Sequence, residues 1–242
     1  MTTTTVTTDH TRKTAFVAGI LYLATFASSI PALWFLEPVL SDPNYIVSGT
    51  ADGRVAFGVF LDLVNALTAI GTAVALFSVT RRVHEGLALG FVMTRMFEAA
   101  VIVIGIVSIL SVLTLRQTVV ADADPRTLVT IGQALVAVRD WTFILGPGMA
   151  SLNALLLGTL MYRSRLVPRV IPAIGLVGAP VFLSFVAGAV LGITELGTAW
   201  HLAGGAPMFV WELTLGLWMT LKGFRRPELS GAAPELAVPA AA

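Results

Sequence analysis

Six polar residues lie inside long apolar stretches of the sequence, where charged side chains are rare. They are Asp62, Asn65, Arg95, Glu98, Asn153 and Glu212. An ionised side chain at the centre of a bilayer costs between about 2.5 and more than ~10 kcal/mol unless it finds a partner or water. A helical rise of about 1.5 Å per residue places all six in one central slab of a membrane. These residues are therefore the candidate buried polar site.

Two interpretations of this group stay open. In the structural one, Arg95 is permanently paired with Glu98 or Glu212, and Asn65 and Asn153 form hydrogen bonds between helices. In the functional one, three carboxylates face a single guanidinium and leave a net charge of about −2 in a site of low dielectric constant. At least one acid then holds a proton, which is the condition for a proton carrier. Asp62 and Glu212 are the candidates, because Glu98 has a guanidinium on its own helix.

A second polar group is predicted at the outer membrane surface, and it consists of Arg139, Asp140, Trp141 and His201. Metal-binding and haem-binding patterns are missing, because His84 and His201 are expected on opposite sides of the membrane. Nucleotide-binding and hydrolase motifs are missing as well. Cysteine is absent from the chain. We therefore expect no metal and no cofactor, and the sequence does not support enzymatic chemistry.

The elements that position these residues are six apolar stretches of membrane-crossing length. They cover residues 14–36, 55–79, 87–115, 141–162, 169–193 and 200–221. Each is long enough for a helix of about 20 residues, and none alternates with the period of two that a barrel strand requires. The first stretch also fits the general pattern of a signal peptide, but its apolar run continues too far. The sequence thus predicts an all-α integral membrane bundle of six transmembrane helices.

The connection between the third and fourth stretches is long and has its own pattern. Asp124 and Pro125 form a helix start, and Leu128, Ile131 and Leu135 recur at helical spacing. We interpret residues 125–140 as an extra outer amphipathic helix between spans three and four. The alternative is that these residues belong to a long fourth helix, bent near Gly146-Pro147-Gly148.

Lys and Arg are distributed unevenly over the two sides of the predicted bundle. With the N-terminus inside, the inner segments carry ten of them and the outer loops carry four. Because positive residues favour the cytoplasmic side, we expect both termini in the cytoplasm and the protein in the cell membrane. The expected parts are a cytoplasmic tail (1–13), a six-helix domain (14–222) and a cytoplasmic, disordered tail (223–242).

Composition agrees with a membrane location and limits the partners. Hydrophobic residues make up 56% of the 242 residues and charged residues 12%, whereas soluble domains have about 25% charged residues. The net charge of +1 does not suggest nucleic-acid binding. The lipid bilayer is therefore the expected partner, together with a small molecule, a proton or an ion.

Several segments resemble a bacterial membrane family catalogued as domain of unknown function 4386. The resemblance lies in Thr14-Ala15 through Pro31-Ala32, Thr94-Arg95-Met96-Phe97-Glu98, Arg139-Asp140-Trp141-Thr142-Phe143 before Gly146-Pro147, Leu166-Val167-Pro168-Arg169, and Glu212 before Lys222-Gly223-Phe224. It covers about residues 12 to 226. It implies a multi-pass bacterial membrane protein and brings no activity with it. It also implies that Arg95, Glu98, Arg139, Asp140, Trp141 and Glu212 are characteristic polar residues.

The preferred functional interpretation is a small-molecule or proton-linked transporter, or a binding protein, with a buried polar site. The main alternative is an assembly or sensor subunit that transports nothing, with a dry and fully paired centre. A third is an intramembrane enzyme acting on a lipid, which needs two converging acids and a cavity open sideways to the bilayer.

Overall fold

The structure is a computed structural model that describes residues 3–118, 124–194 and 199–225. These residues form helices, turns and loops, and no strand occurs among them. The helices are α1 (Thr3–Ser41), α2 (Tyr45–Ser48), α3 (Asp52–Thr80), α4 (Glu85–Thr118), α5 (Pro125–Ser164), α6 (Val170–Val190) and α7 (Ala199–Leu221). The all-α prediction is therefore confirmed for the described part of the chain.

Five helices are long and apolar enough to cross a membrane. They are Thr11–Ser41 within α1, Asp52–Thr80, Glu85–Thr118, Pro125–Ser164 and Val170–Val190. The sixth predicted stretch is also helical, as α7, but it is not among these five. The protein is thus a multi-pass helical membrane protein with at least five candidate spans.

Residues 125–140 do not form the separate outer helix that we preferred from the sequence. They are the first part of α5, which continues without a break to Ser164. The helix start is the predicted one: the Asp124 carboxylate accepts hydrogen bonds from the Thr127 backbone N–H at 3.0 Å and hydroxyl at 2.8 Å, and Pro125 occupies the first turn. The alternative of a long fourth helix is what the structure has.

Proline in the long helices leaves carbonyl groups without their usual donor, and one of them is satisfied from another helix. Pro38 in α1 has no N–H, so the carbonyl of Trp34, four residues earlier, lacks its helical partner. Arg54 of α3 donates to that carbonyl at 2.5 Å. Its guanidinium also lies 4.4 Å from the centre of the Trp34 ring. This contact joins α1 and α3 at the end of the bundle that carries α2.

The six long helices form a closed ring. Each contacts the helices before and after it in the chain, and α7 contacts α1. The connections 81–84 and 165–169 and the end of α7 lie at one end of the ring, with most of the Arg and Lys residues. The short helix α2, which the sequence did not predict, lies at the opposite end against α4 and α5. A ring of six helices leaves room for a central space.

The segments before the first span and after α7 are in part ordered against the bundle. Residues 3–13, predicted to be a tail, are the first turns of α1. After α7, the Arg225 backbone N–H donates to the Leu166 carbonyl at 2.7 Å and so holds residues 223–225 against the α5–α6 connection. The predicted disordered tail beyond these residues lies outside the described part.

Candidate functional site

Arg95 binds two carboxylates from opposite sides of the ring. Its side chain is 1% exposed. One terminal nitrogen donates to Glu98 Oε2 at 2.9 Å, and the other donates to Glu212 Oε1 at 2.7 Å. The Tyr22 ring centre lies 5.0 Å from the guanidinium carbon, a cation–π distance. The fork of the guanidinium thus ties α4 to α7 through the middle of the ring.

Glu98 has more hydrogen-bond donors than Glu212. The side-chain amide of Asn153 donates to Glu98 Oε2 at 2.7 Å, and the Thr94 hydroxyl donates to the Asn153 amide oxygen. Asn153 therefore joins α5 to the group by both ends of its amide. Glu98 receives donors from two residues, whereas Glu212 receives one from a guanidinium that it shares. Glu212 is therefore the carboxylate whose negative charge is stabilised by fewer hydrogen-bond donors.

A second ion pair crosses the ring between α3 and α5. Arg139 donates to Asp62 Oδ2 at 2.8 Å, and both side chains are buried. The Arg139 guanidinium also lies 5.3 Å from the centre of the Phe143 ring. Its side chain passes Gly105 of α4, where an added Cβ would lie 3.0 Å from Arg139 Cδ. Gly105 is seven residues after Glu98, so the two ion-pair groups are separated by roughly 10 Å along α4.

The structure brings five of the six predicted central residues into these two ion-pair groups. The sixth, Asn65, is half-buried beside them and faces the same space. The predicted outer group is divided: Arg139 belongs to the centre, whereas Asp140 and Trp141 are exposed. The side chain of His201 lies outside the described part. Among the described residues, no cluster of three His, Asp or Glu side chains has the arrangement of a metal site.

A cavity of about 250 Å³ lies between the two ion-pair groups, with room for on the order of eight waters at ~30 Å³ each. All six long helices contribute to its lining. The polar lining residues are Thr25, Ser29, Asp62, Asn65, Glu98, Arg139, Thr142 and Glu212. The apolar ones are Phe26, Ile30, Leu33, Ile102, Phe143, Pro147, Ala150, Phe182, Gly205, Met208 and Phe209. We call this space the central cavity.

A second space, the lateral cavity, adjoins it and has a volume of about 430 Å³. Its lining is entirely apolar: Phe143, Ile144, Pro147, Phe182, Val186, Gly205, Ala206, Phe209 and Val210. Five of these residues also line the central cavity and so form the wall between the two.

The charges of the two groups do not cancel. Glu98, Glu212 and Asp62 supply three carboxylates, and Arg95 and Arg139 supply two guanidinium groups, so the formal sum is −1. From the sequence, three acids are expected to face Arg95 alone, but in the structure Arg139 also takes part. Its spacing from the buried Gly132, Thr142 and Gly146 follows the inward face of α5.

Carboxylates at the wall of a cavity can accept a proton or a cation, and in this structure the excess of one acid is located at the guanidinium that Glu98 and Glu212 share.

Comparison with known proteins gives a family and no activity. No curated protein and no solved structure matches the chain. The family model described as "Domain of unknown function (DUF4386)" matches residues 17–223, which include all seven helices in whole or in part. The chain belongs to the DUF4386 family, whose function is unknown by its own description.

Proposed function

We propose that the protein binds a small molecule or ion in the central cavity and carries it across the membrane in exchange with a proton. The observation that carries this proposal is a cavity in a membrane bundle with an excess of one carboxylate at its wall. A net charge of −1 in a medium of low dielectric constant is unfavourable unless a proton or another cation balances it. The same carboxylate then binds either of the two.

Glu212 is the residue that we assign to this exchange. Among the described residues, Asp62 pairs with Arg139, Glu98 and Glu212 share Arg95, and Glu98 but not Glu212 accepts a further hydrogen bond, from Asn153. Protonation of Glu212 leaves Arg95 paired with Glu98. Loss of that proton, or release of a bound cation, restores the second ion pair between α4 and α7.

Water access to the central cavity separates this proposal from a purely structural polar core. Because the chain has no cysteine, a single introduced thiol is the only reactive one. We expect Asn65→Cys, in the cavity wall, to react with a small water-soluble methanethiosulfonate in reconstituted membranes. The matched control is Ser151→Cys, which is 0% exposed and lines neither cavity.

The two thiols have opposite expected behaviour. Reaction at position 65 and none at position 151 supports a hydrated binding site. Equal lack of reaction in two folded variants means a dry centre, and the protein is then an assembly or sensor subunit rather than a transporter. Proton movement is measured in the same liposomes with an internal pH dye, where Glu212→Gln is expected to abolish it.

An intramembrane enzyme acting on a lipid is a second candidate, and the lateral cavity favours it. In that case Glu98 and Glu212 act as acid and base on a lipid that reaches them from the bilayer. Incubation of the protein in liposomes, followed by mass spectrometry of the lipids, tests this. Turnover that Glu212→Gln abolishes would replace transport by catalysis as the function.

We also propose that α7 is a sixth span. We further propose that the protein lies in the cell membrane with both chain ends in the cytoplasm. The closed ring supports the first point, because α7 contacts both α6 and α1 along the bundle. The accumulation of Lys and Arg at the end of the ring that carries both termini supports the second.

A further inference from the structure

The lateral cavity reaches the outer surface of the bundle. Two of its lining residues, Ala206 and Val210, lie on α7 at the spacing that continues through Leu213 and Leu217. Val210 is 42% exposed and Leu217 is 41% exposed. This stripe is the outward face of α7, and in a membrane such a face contacts lipid. The lateral cavity therefore connects the wall of the central cavity with the bilayer.

The wall between the two cavities is largely aromatic. Phe143, Phe182 and Phe209 line both cavities, together with Pro147 and Gly205. Aromatic faces attract cations through the ring quadrupole, and they are also compatible with an apolar chain. An added Cβ at Gly205 would lie 3.6 Å from the Phe182 ring, so the backbone of α7 passes the wall closely.

The charges on both sides of this wall favour one sign of ligand. The central cavity has a formal sum of −1, and the lining of the lateral cavity carries no charged side chain. An anion arriving from the bilayer would meet the carboxylates of Glu98 and Glu212. A cation with an apolar body would replace the missing positive charge and leave its apolar part in the lateral cavity.

We propose that the ligand is a lipophilic organic cation, an ammonium head on an apolar body, which reaches Glu212 from the bilayer through the lateral cavity. This inference rests on the proposed function, since it names the ligand class and the route for the same site. The ammonium head lies against Glu212 and the aromatic wall, and the apolar body lies in the lateral cavity, which α5, α6 and α7 line.

The test measures binding of radiolabelled octyltrimethylammonium to the full chain in phosphatidylcholine nanodiscs, with empty nanodiscs as the background. Unlabelled octyltrimethylammonium is expected to compete about tenfold better than octyl sulfate, which has the opposite charge, and better than tetramethylammonium, which lacks the chain. A tenfold difference in affinity is expected because the ammonium head is attracted, and the sulfate head repelled, by about one unit of negative charge in the central cavity.

Two variants locate the ligand. Glu212→Gln is expected to weaken octyltrimethylammonium binding about tenfold, whereas Glu85→Gln, an exposed acid at the start of α4, leaves it unchanged. Ala206→Trp fills the lateral cavity from an exposed position and is expected to slow binding several-fold. Its control is Val177→Trp in α6, because Val177 is 71% exposed and lines neither cavity. If Glu212→Gln does not fold, the two tryptophan variants decide alone.

Octyl sulfate that binds as well as the cation, or tryptophan variants that bind at equal rates, would overturn the inference. Failure of the proposed function gives a different pattern: the Asn65→Cys thiol is then as unreactive as Ser151→Cys. A reactive thiol at position 65 together with equal binding of cation and anion leaves the function standing and removes only this ligand class and route.

Discussion

Asp62 and Arg139 are each costly to bury alone. Both are at least nine-tenths buried, and each is the ionic partner of the other. We expect Asp62→Asn to lower the free energy of unfolding by about 3–5 kcal/mol, because it leaves the Arg139 charge unpaired. The double variant Asp62→Asn/Arg139→Gln is expected to recover at least ~1 kcal/mol of that loss. Equilibrium unfolding in mixed detergent measures both.

The exposed pair Arg54 and Glu37 provides the control for that cycle. Its nitrogen and oxygen are 3.7 Å apart, and both side chains are partly in contact with solvent. We expect its coupling to be below about 1 kcal/mol, as for other surface pairs. Equal coupling in the two pairs would mean that the Asp62–Arg139 pair is hydrated and does not define the cavity.

The excess carboxylate also predicts a charge preference at the Asn65→Cys thiol. At a separation of ~6 Å, two unit charges interact by ~0.7 kcal/mol even at the dielectric constant of water. Reagents of opposite sign then differ by about 1.4 kcal/mol, so cationic methanethiosulfonate is expected to react about tenfold faster than the anionic reagent. Glu212→Gln should bring the ratio close to that of a free thiol. An unchanged ratio would locate the excess charge elsewhere.

At the scale of residues, depth along a helix follows from residue number, so the sequence predicts Glu98, Asn153 and Glu212 at one level. In the structure Asn153 donates a hydrogen bond to Glu98, and Arg95 donates to both Glu98 and Glu212. The partner of Asp62 depends on how α3 and α5 lie across the ring, which no local pattern determines. Arg139 was placed at the outer surface because it stands beside Asp140 and Trp141, and only its helical phase indicates that it faces inward.

The short helix α2 is held to the bundle by a network outside the predicted spans. The Tyr45 hydroxyl donates to Asp52 Oδ1 at 2.9 Å, and Arg116 Nε donates to the same oxygen at 2.9 Å. Arg116 also donates to the Tyr45 carbonyl at 3.2 Å. One carboxylate thus joins α2 to the beginning of α3 and the end of α4. This network closes one end of the ring.

Burial, and then the hydrogen bond to the Asp52 carboxylate, raise the pKa of the Tyr45 phenol. The phenol is neutral when protonated, and in the unfolded chain it titrates near pH ~10. The contribution of Tyr45 to stability is therefore complete below about pH 10 and is lost as pH rises toward its pKa in the folded protein. Tyr45→Phe is expected to cost ~1 kcal/mol at pH 8, from the lost hydrogen bond.

Melting curves between pH 8 and pH 11 test whether the Tyr45 hydroxyl stabilises the position of α2. The difference between wild type and Tyr45→Phe should shrink above about pH 10, because the tyrosine then ionises in the unfolded wild-type chain and stabilises the unfolded state, whereas phenylalanine cannot ionise. Tyr162→Phe, at a 39% exposed position in α5, serves as the reference for general effects of alkali. A constant difference across this range would mean that the Tyr45 hydroxyl does not hold α2 in place.

Helix identity was predictable, but the start of α1 and the continuity of α5 were not. Apolar runs and the Asp124-Pro125 start are local features, and the structure has them. Whether residues 125–140 stop or continue into the next span depends on packing: Gly132 lies against Ile46 of α2, and Leu128 is buried in the same cluster. These contacts with a helix that the sequence did not predict keep α5 continuous.

The whole molecule combines a ring of helices with charges at its two ends and its centre. Both ion-pair groups join helices that are not neighbours in the ring, so they set its diameter as well as its polarity. Exchange of a proton or cation at Glu212 changes one of these connections, between α4 and α7. We expect such an exchange to alter the separation of these two helices, which is the change that alternating access requires.

The ring makes a definite prediction about topology. If α7 crosses the membrane, the α3–α4 connection and the C-terminus lie on one side, and the start of α5 lies on the other. In whole cells, a membrane-impermeant maleimide should label Asp124→Cys, whereas Arg82→Cys and Ala240→Cys are labelled only after permeabilisation. Labelling of Ala240→Cys together with Asp124→Cys would place the C-terminus outside and leave five spans. Since Glu212 lies in α7, that result would also remove Glu212 from the membrane interior, so that it could not pair with Arg95 across the ring.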